Sequence, residues 1–271
     1  MNTSGSGVSL VRRDLLAEQD GLDRALRDQG EWAWVRPTAS PRWSVADQVA
    51  HLTYFDSRAA LAISDPDAFA SHRAHLIGTL TDPIAVEEET LGSYRTMAHT
   101  ELLAAWRESR VALAEASATL ADDDRVGWYG PSMGAKSFLT ARLMECWAHG
   151  IDVCDAIGVE VTHSDRVQHI ARLGFITRAW SYVNRREEVP ETEVRVELVA
   201  PSGATWLFGP PDASETVSGS AVDFCLVVTQ RRHVLDTDLD VRGSAAAEWM
   251  EIAQAFAGPP TSPPDPGGGA R

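Results

Sequence analysis

Apolar residues recur at helical spacing over four long stretches of the chain. From Val8 to Gln29 they fall at Leu10, Val11, Leu15, Leu16, Leu22 and Leu26, with charges on the other face, and Gly30 supplies a stop. A loop with two prolines follows, from Trp32 to Arg42. Ser44 then stands as an N-cap with Asp47 three residues on, a variant of the capping box, and the spacing predicts a helix from there to about Ile63. Asp65-Pro66 ends it. A variable polar stretch runs through residue 90. Leu91 to about Leu120 predicts a third long helix, closed by Asp122-Asp123-Asp124. Ala135 to Ile157 predicts a fourth, with Gly158 in the position after its end. Four long helices with one long connection are the inventory of a four-helix bundle.

The pattern changes after Gly158. A helix is predicted over Asp165 to Asn184. Glu193-Val-Arg-Val-Glu-Leu-Val199 alternates with period two, as a half-buried strand does, and Ser202-Gly203 turns it toward a partner at Thr205 to Phe208. A short strand near Thr216 to Ser218, an apolar helix over Ala221 to Gln230, a strand at Leu239 to Val241 and a helix over Ala245 to Ala257 complete this half. The expected fold class is therefore α+β. A bundle over residues 8–160 precedes a smaller α+β domain over 165–257, and no sheet pairing is expected before residue 160. Residues 1–7 are Gly/Ser-rich, and the tail 258–271 carries five prolines and four glycines, so both ends are expected to be disordered.

Charge narrows the partners. Asp and Glu number 39 against 24 Lys and Arg, a formal charge of −15. Such a surface repels phosphate backbones and anionic lipid, which argues against nucleic acid and membranes and leaves a small molecule as the expected partner. The three cysteines, Cys146, Cys154 and Cys225, form no Cys-x-x-Cys pair, and an odd, sparse count fits a reducing compartment. With no basic start followed by an apolar run, a cytoplasmic location is expected. Nucleotide-binding glycine loops are missing.

The strongest chemical signal is Glu145-Cys-Trp-Ala-His149. Residues four apart share one helical face, so both side chains can reach one ion. Such pairs also occur on many exposed helices, where they bind nothing. Here Leu143, Met144, Cys146, Trp147, Ile151 and Val153 make the helix apolar nearly all round, and a carboxylate and an imidazole in that company need partners. His51 lies mid-helix near the core face set by Val45, Val49, Leu52 and Phe55. A lone core histidine is commonly a hydrogen-bonded structural residue, but a bundle metal site needs a ligand from a second helix. Two histidines and a glutamate leave an open position, as a catalytic zinc requires; nickel and iron also accept this donor set.

Trp43-Ser-Val-Ala-Asp47-Gln-Val-Ala-His51-Leu52 resembles the first-ligand helix of the DinB-like superfamily. Together with Ala141-Arg-Leu-Met-Glu145-Cys-Trp-Ala-His149-Gly-Ile-Asp152 it resembles, more narrowly, the mycothiol-dependent maleylpyruvate isomerase family of actinobacteria. The likeness covers most of residues 8–158 and extends more weakly over 165–257. It implies His51, Glu145 and His149 as ligands of a divalent metal, zinc first among the choices, and mycothiol as a thiol cofactor. Within the family the chain looks closest to a metal-binding subgroup that need not share the isomerase's substrate.

Other residues are candidates for the surroundings of the site. Asp152, three residues after His149, could orient a ligand ring or simply cap a helix end. Trp128 and Tyr129, in the loop Trp128-Tyr129-Gly130-Pro131 before the ligand helix, could wall the pocket or anchor the loop. Tyr54 could face the cavity, and Trp43 could act as a hydrophobic staple. His72-x-x-His75 lies in a polar stretch without acidic or Cys partners and reads as a solvated face. Gln230-Arg231-Arg232-His233 is the local basic cluster; Arg231 or Arg232 could clamp a carboxylate, or the group could complement a helix dipole. The expected function is metal-dependent isomerisation or S-transfer with a low-molecular-weight thiol on a small electrophile. A water-activating hydrolase or lyase and a non-catalytic metal-binding protein are the alternatives.

Overall fold

The computed structural model describes residues 7–79 and 82–267, and the expected disorder of 1–6 and 268–271 lies outside them. The chain divides into two compact units, one ending at Val159 and the other beginning at Glu160.

The first unit holds α1 (Gly7–Leu26), α2 (Glu31–Trp34), α3 (Val45–Ser64), α4 (Pro66–Thr79), α5 (Pro83–Arg95), α6 (His99–Ser117) and α7 (Ala135–Ile157). α1 packs on α7, α7 on α3, α3 on α6 and α6 back on α1, which closes a four-helix bundle. Each helix turns its apolar stripe inward: Val11, Leu15 and Leu26; Val45, Val49 and Leu52; Leu102, Trp106 and Leu113; Leu139 and Leu143 are all buried. Helix ends are fixed by the residues the sequence offers. Gly158 takes a left-handed φ of 71° after α7, a conformation without strain for glycine. Asp122, beyond the end of α6, accepts from the backbone N–H groups of Gly7 and Val8 at 3.1 and 2.8 Å and so caps α1.

Three sequence expectations change here. The polar stretch through residue 90 is helical: Asp65 ends α3 and also starts α4, its carboxylate accepting from Ala68 N at 3.0 Å with Pro66 in the first helical position. α4 escapes notice because it carries no continuous apolar stripe; it buries Phe69 and Leu76 but leaves Ile77 exposed. The long helix expected from Leu91 is two helices broken at 96–98, where the Glu101 carboxylate accepts from Ala98 N at 2.9 Å and starts α6 anew. Sheet pairing does occur before residue 160: β1 (Arg125–Val126) and β2 (Met133–Gly134) form a two-residue antiparallel ladder that closes the loop before α7.

The second unit is α+β, as its period-two segment predicted. β3 (Val194–Val199), β4 (Thr205–Phe208), β5 (Glu215–Ser220) and β6 (Asp240–Arg242) form a sheet in the order β4-β3-β5-β6. β3 pairs antiparallel with β4 and parallel with β5. Helices α8 (Gln168–Ile176), α10 (Ala221–Val228) and α11 (Ser244–Ile252) pack against it, while α9 (Arg178–Val183) is separated from α8 by Thr177, so the single helix expected over 165–184 is interrupted. Residues 258–267, expected to be disordered, are hydrogen-bonded to this unit: Thr261 Oγ1 donates to Gln230 Oε1 at 2.6 Å, and Gly267 N to the Asp236 carboxylate at 2.8 Å. The polar partners of this tail lie on distant segments, beyond the reach of a compositional reading.

Candidate metal centre

α3 and α7 lie against each other in the bundle and carry the site between them. α3 starts at a full capping box: Asp47 N donates to Ser44 Oγ at 3.3 Å and Ser44 N donates to Asp47 Oδ2 at 2.8 Å. Arg95 of α5 donates to the other Asp47 oxygen at 2.7 Å. These bonds fix the first turn of α3, and one turn later the helix presents Gln48 and His51. α7 presents Glu145 and His149 on one face, as their spacing of four dictates.

The donor atoms of His51, Glu145 and His149 all lie within 4.8 Å of one another. Glu145 Oε2 is 3.4 Å from His51 Nε2 and 3.1 Å from His149 Nε2. Ligands held at roughly 2.0–2.1 Å from a tetrahedral zinc stand roughly 3.3–3.4 Å apart, so the spacing fits such an ion.

Proton order supports the same reading. Thr38 Oγ1 donates to Trp43 O at 2.9 Å, and Ser40 Oγ donates to Asp152 Oδ2 at 3.2 Å. Both hydroxyls are therefore acceptors for Gln48 Nε2, at 2.8 and 3.0 Å. That fixes the Gln48 amide and turns its Oε1 to His149 Nδ1, 2.5 Å away. An oxygen acceptor there requires the His149 proton on Nδ1. Nε2 is left to face Glu145: with a second proton it donates to the carboxylate, and without it the lone pair is free to ligate, together with a second imidazole and the carboxylate, a donor set that suits a divalent metal.

The rings are clamped by aromatics. Trp43 stacks on His149 at 5.9 Å between centroids and lies 5.3 Å from His51, while Phe55 lies 4.5 Å from His51. The staple expected of Trp43 lacks an apolar partner, since the position it would meet is Gln48; the ring covers the two imidazoles instead. Burial, and next the neighbouring His149, lower His51 to about 4, against the pull of Glu145. For Glu145 burial acts upward, but the hydrogen bonds to His149 and His51 outweigh it and hold the carboxyl well below its ordinary range. A neutral imidazole and an ionised carboxylate are the forms that bind metal. Behind the site, Arg142 pairs with the buried Asp56 at 3.3 Å, and its guanidinium carbon lies 5.9 Å from the ring centres of both Phe55 and Trp128.

The remaining candidates separate clearly. Asp152 is buried and reaches His149 through Ser40 and Gln48. Gln48 carries no motif of its own in the sequence; its place three residues before His51 sets it on the same face. Trp128 stacks on Phe69 at 5.4 Å, and its carbonyl accepts from Arg73 Nη1 at 3.0 Å. Tyr54 and Tyr129 both meet His72, which is half-buried and joined to two phenols, while His75 is exposed. Arg231 and Arg232 belong to the second unit and donate to the nearby carbonyls of Thr229 and Arg231 at 2.7 and 2.8 Å. No helix among the described residues is long and apolar enough to cross a membrane.

A ring of four long helices with a His/Glu/His cluster between two of them defines the class: a four-helix bundle with a candidate metal site, followed in the chain by a mixed-sheet unit. Residues 15–154 match the family described as Mycothiol maleylpyruvate isomerase N-terminal domain, and the chain belongs to that family. Two uncharacterized proteins of Mycobacterium tuberculosis, MT0041 and Rv0036c, are each 40% identical to it over 247 residues, spanning 91% of this chain and 95% of theirs. Crystal structures of the mycothiol-dependent maleylpyruvate isomerase and of its histidine-to-alanine mutant share the fold at TM-scores of 0.55 and 0.56. Both are 18% identical to this chain and cover 81% of it and 88% of their own length.

Proposed function

We propose that the protein is a metal-dependent enzyme that uses mycothiol, or a thiol like it, on a small electrophilic substrate, with His51, Glu145 and His149 holding one zinc ion. The observation that carries this reading is the convergence of the donor atoms of His51, Glu145 and His149 within 4.8 Å of one another, with Gln48 on the opposite nitrogen of His149 leaving its Nε2 to the ion. A divalent ion supplies a Lewis acid that keeps a thiol, ordinarily of pKa about 8.5, deprotonated at neutral pH. Two neutral imidazoles and one carboxylate leave a net charge of one on a dipositive centre, which favours an anionic sulfur. The buried cysteines do not supply that sulfur: burial pushes the Cys146 thiol well up, and the Cys154 thiol up to about 11. Family membership supports mycothiol as the thiol. The thiolate would add to an electrophilic carbon, and the adjacent carbon would take up a proton from water. If the same carbon–sulfur bond later breaks and the thiol leaves, the net change is isomerisation; if it stays, the outcome is S-transfer. Three reduced cysteines fit a cytoplasmic setting.

The test is twofold. Elemental analysis of the purified protein should give one zinc per chain, lost in His51→Ala, Glu145→Ala and His149→Ala. Calorimetric titration with mycothiol should show binding to zinc-loaded protein and none to the chelator-treated form. Full occupancy in His51→Ala rejects the ligand set. Binding indifferent to metal, or none at millimolar thiol, turns the reading toward an enzyme that activates water.

A further inference from the structure

Next to the metal centre lies a second polar cluster, built from three separate elements. Tyr54 comes from α3, His72 from α4 and Tyr129 from the loop between β1 and β2. Tyr54 Oη is 3.0 Å and Tyr129 Oη 3.2 Å from the same atom, Nε2 of His72. One ring nitrogen accepts from one hydroxyl at a time, so the second O–H turns to the first phenol or to an acceptor from outside. Among the described residues both hydrogen bonds of His72 run through Nε2, which leaves Nδ1 for another partner.

The walls of the cluster are aromatic. Phe55 lies edge-on to Tyr129 at 5.9 Å and is the same ring that lies 4.5 Å from His51. Phe69 and Trp128 stack nearly parallel, at 5°, beside Tyr129. Among the described residues, charges of both signs flank the cluster without hydrogen-bonding to it: Arg58 lies over the face of the Tyr54 ring at 5.4 Å and donates to Ser57 Oγ, the Glu89 carboxylate offsets it at Tyr54 and His72, and Arg73 donates to the Trp128 carbonyl. Neutral donors and acceptors beside flat aromatic faces suit an uncharged, hydroxyl-rich ligand, whose C–H faces pack on rings while its hydroxyls both give and take hydrogen bonds.

We propose that Tyr54, His72 and Tyr129 form the subsite for the uncharged, polyhydroxylated body of the thiol ligand, one aromatic ring away from the metal ligands. This rests on the thiol reading above. It assigns the sulfur end and the sugar end of the ligand to different residues: the triad takes the first and the phenol–imidazole cluster the second. Mycothiol has both ends, being N-acetylcysteine joined to a glucosaminyl-inositol.

Calorimetry on zinc-loaded protein separates the two ends. The probes are mycothiol, N-acetylcysteinamide as the uncharged thiol without the sugar, and N-acetylglucosaminyl-inositol as the uncharged sugar without the thiol. Wild-type protein should bind mycothiol more tightly than N-acetylcysteinamide. Tyr129→Phe and His72→Gln should each lower mycothiol affinity about 3- to 10-fold, the size of one lost neutral hydrogen bond. They should leave N-acetylcysteinamide affinity and zinc content unchanged. Equal affinity for both thiols in wild type, or equal weakening of both in the variants, overturns the subsite. Sugar binding that ignores the metal and falls in Tyr129→Phe, with neither thiol bound, would instead reject the thiol reading and keep a hydroxyl-binding site.

Discussion

Oε1 of Gln48 lies 2.5 Å from Nδ1 of His149, and that contact sets which ring nitrogen faces Glu145. Gln48 is fixed in turn by Thr38 and Ser40, and Ser40 by Asp152, so four residues outside the ligand set determine one tautomer. Gln48→Ala should lower zinc affinity about 10- to 100-fold, the usual effect of removing the partner of a ligating imidazole. Competition with a chromophoric chelator measures it. Affinity equal to wild type would show that the ring needs no such partner.

Asp47 holds the start of the helix that carries His51. Its carboxylate serves Ser44 N at 2.8 Å and Arg95 Nε at 2.7 Å. Asp47→Ala should cost about 1–2 kcal/mol in urea denaturation, from the capping box and part of the ion pair. Burial acts to raise the Asp47 carboxyl, but the bonds from Ser44 and Arg95 outweigh it and leave it below its ordinary 3.8. Its contribution is thus present above pH 3.8 and lost as the pH falls below it. A variant with wild-type stability at neutral pH would contradict this.

Arg142 and Asp56 form a pair with side chains 5% and 1% exposed, and Gln19 donates to the second Asp56 oxygen at 3.0 Å. Removing one charge strands the other in the core. Asp56→Ala should destabilise by about 3–5 kcal/mol, whereas the double change Asp56→Leu with Arg142→Met should recover much of that loss. Thermal melts of the two variants decide the matter; a double variant as unstable as the single one would point to packing alone.

The bundle and the ligand spacing were legible because they depend on local periodicity. Glu145 and His149 share a face at any helical geometry, and the capping box at Ser44 marked where the His51 helix begins. What stayed hidden depends on contacts across the chain. Gln48 acts through Thr38 and Ser40 in a loop, and no spacing rule joins a glutamine to a histidine 101 positions away. His72 read as solvated because α4 has no stripe to show which side faces inward; Tyr54 and Tyr129 supply that information from other elements. The break at 96–98 was invisible because Ala98 is no cap, and the bond that starts α6 comes from Glu101, ahead of it in the chain.

Acidification should weaken the metal-free protein for a reason traceable to His51. Burial first, and the neighbouring His149 next, lower this histidine from 6.5 to about 4. The unfolded chain takes up its proton near pH 6.5, while the folded chain does not until about pH 4. Stability therefore falls as the pH drops from 6.5 to about 4, where the loss is complete. At 1.36 kcal/mol per pKa unit, the drop between neutrality and pH 5 is about 2 kcal/mol. Glu145 adds to it only at lower pH, since a carboxyl held below its ordinary 4.5 gives stability above that value and loses it below. Guanidinium denaturation of chelator-treated protein at about pH 7.5 and pH 5 tests the difference, with His51→Asn as the control. The variant has no imidazole to protonate, so its loss between the two pH values should be smaller than wild type by about that amount. An equal loss in both proteins would assign the acid sensitivity to other groups.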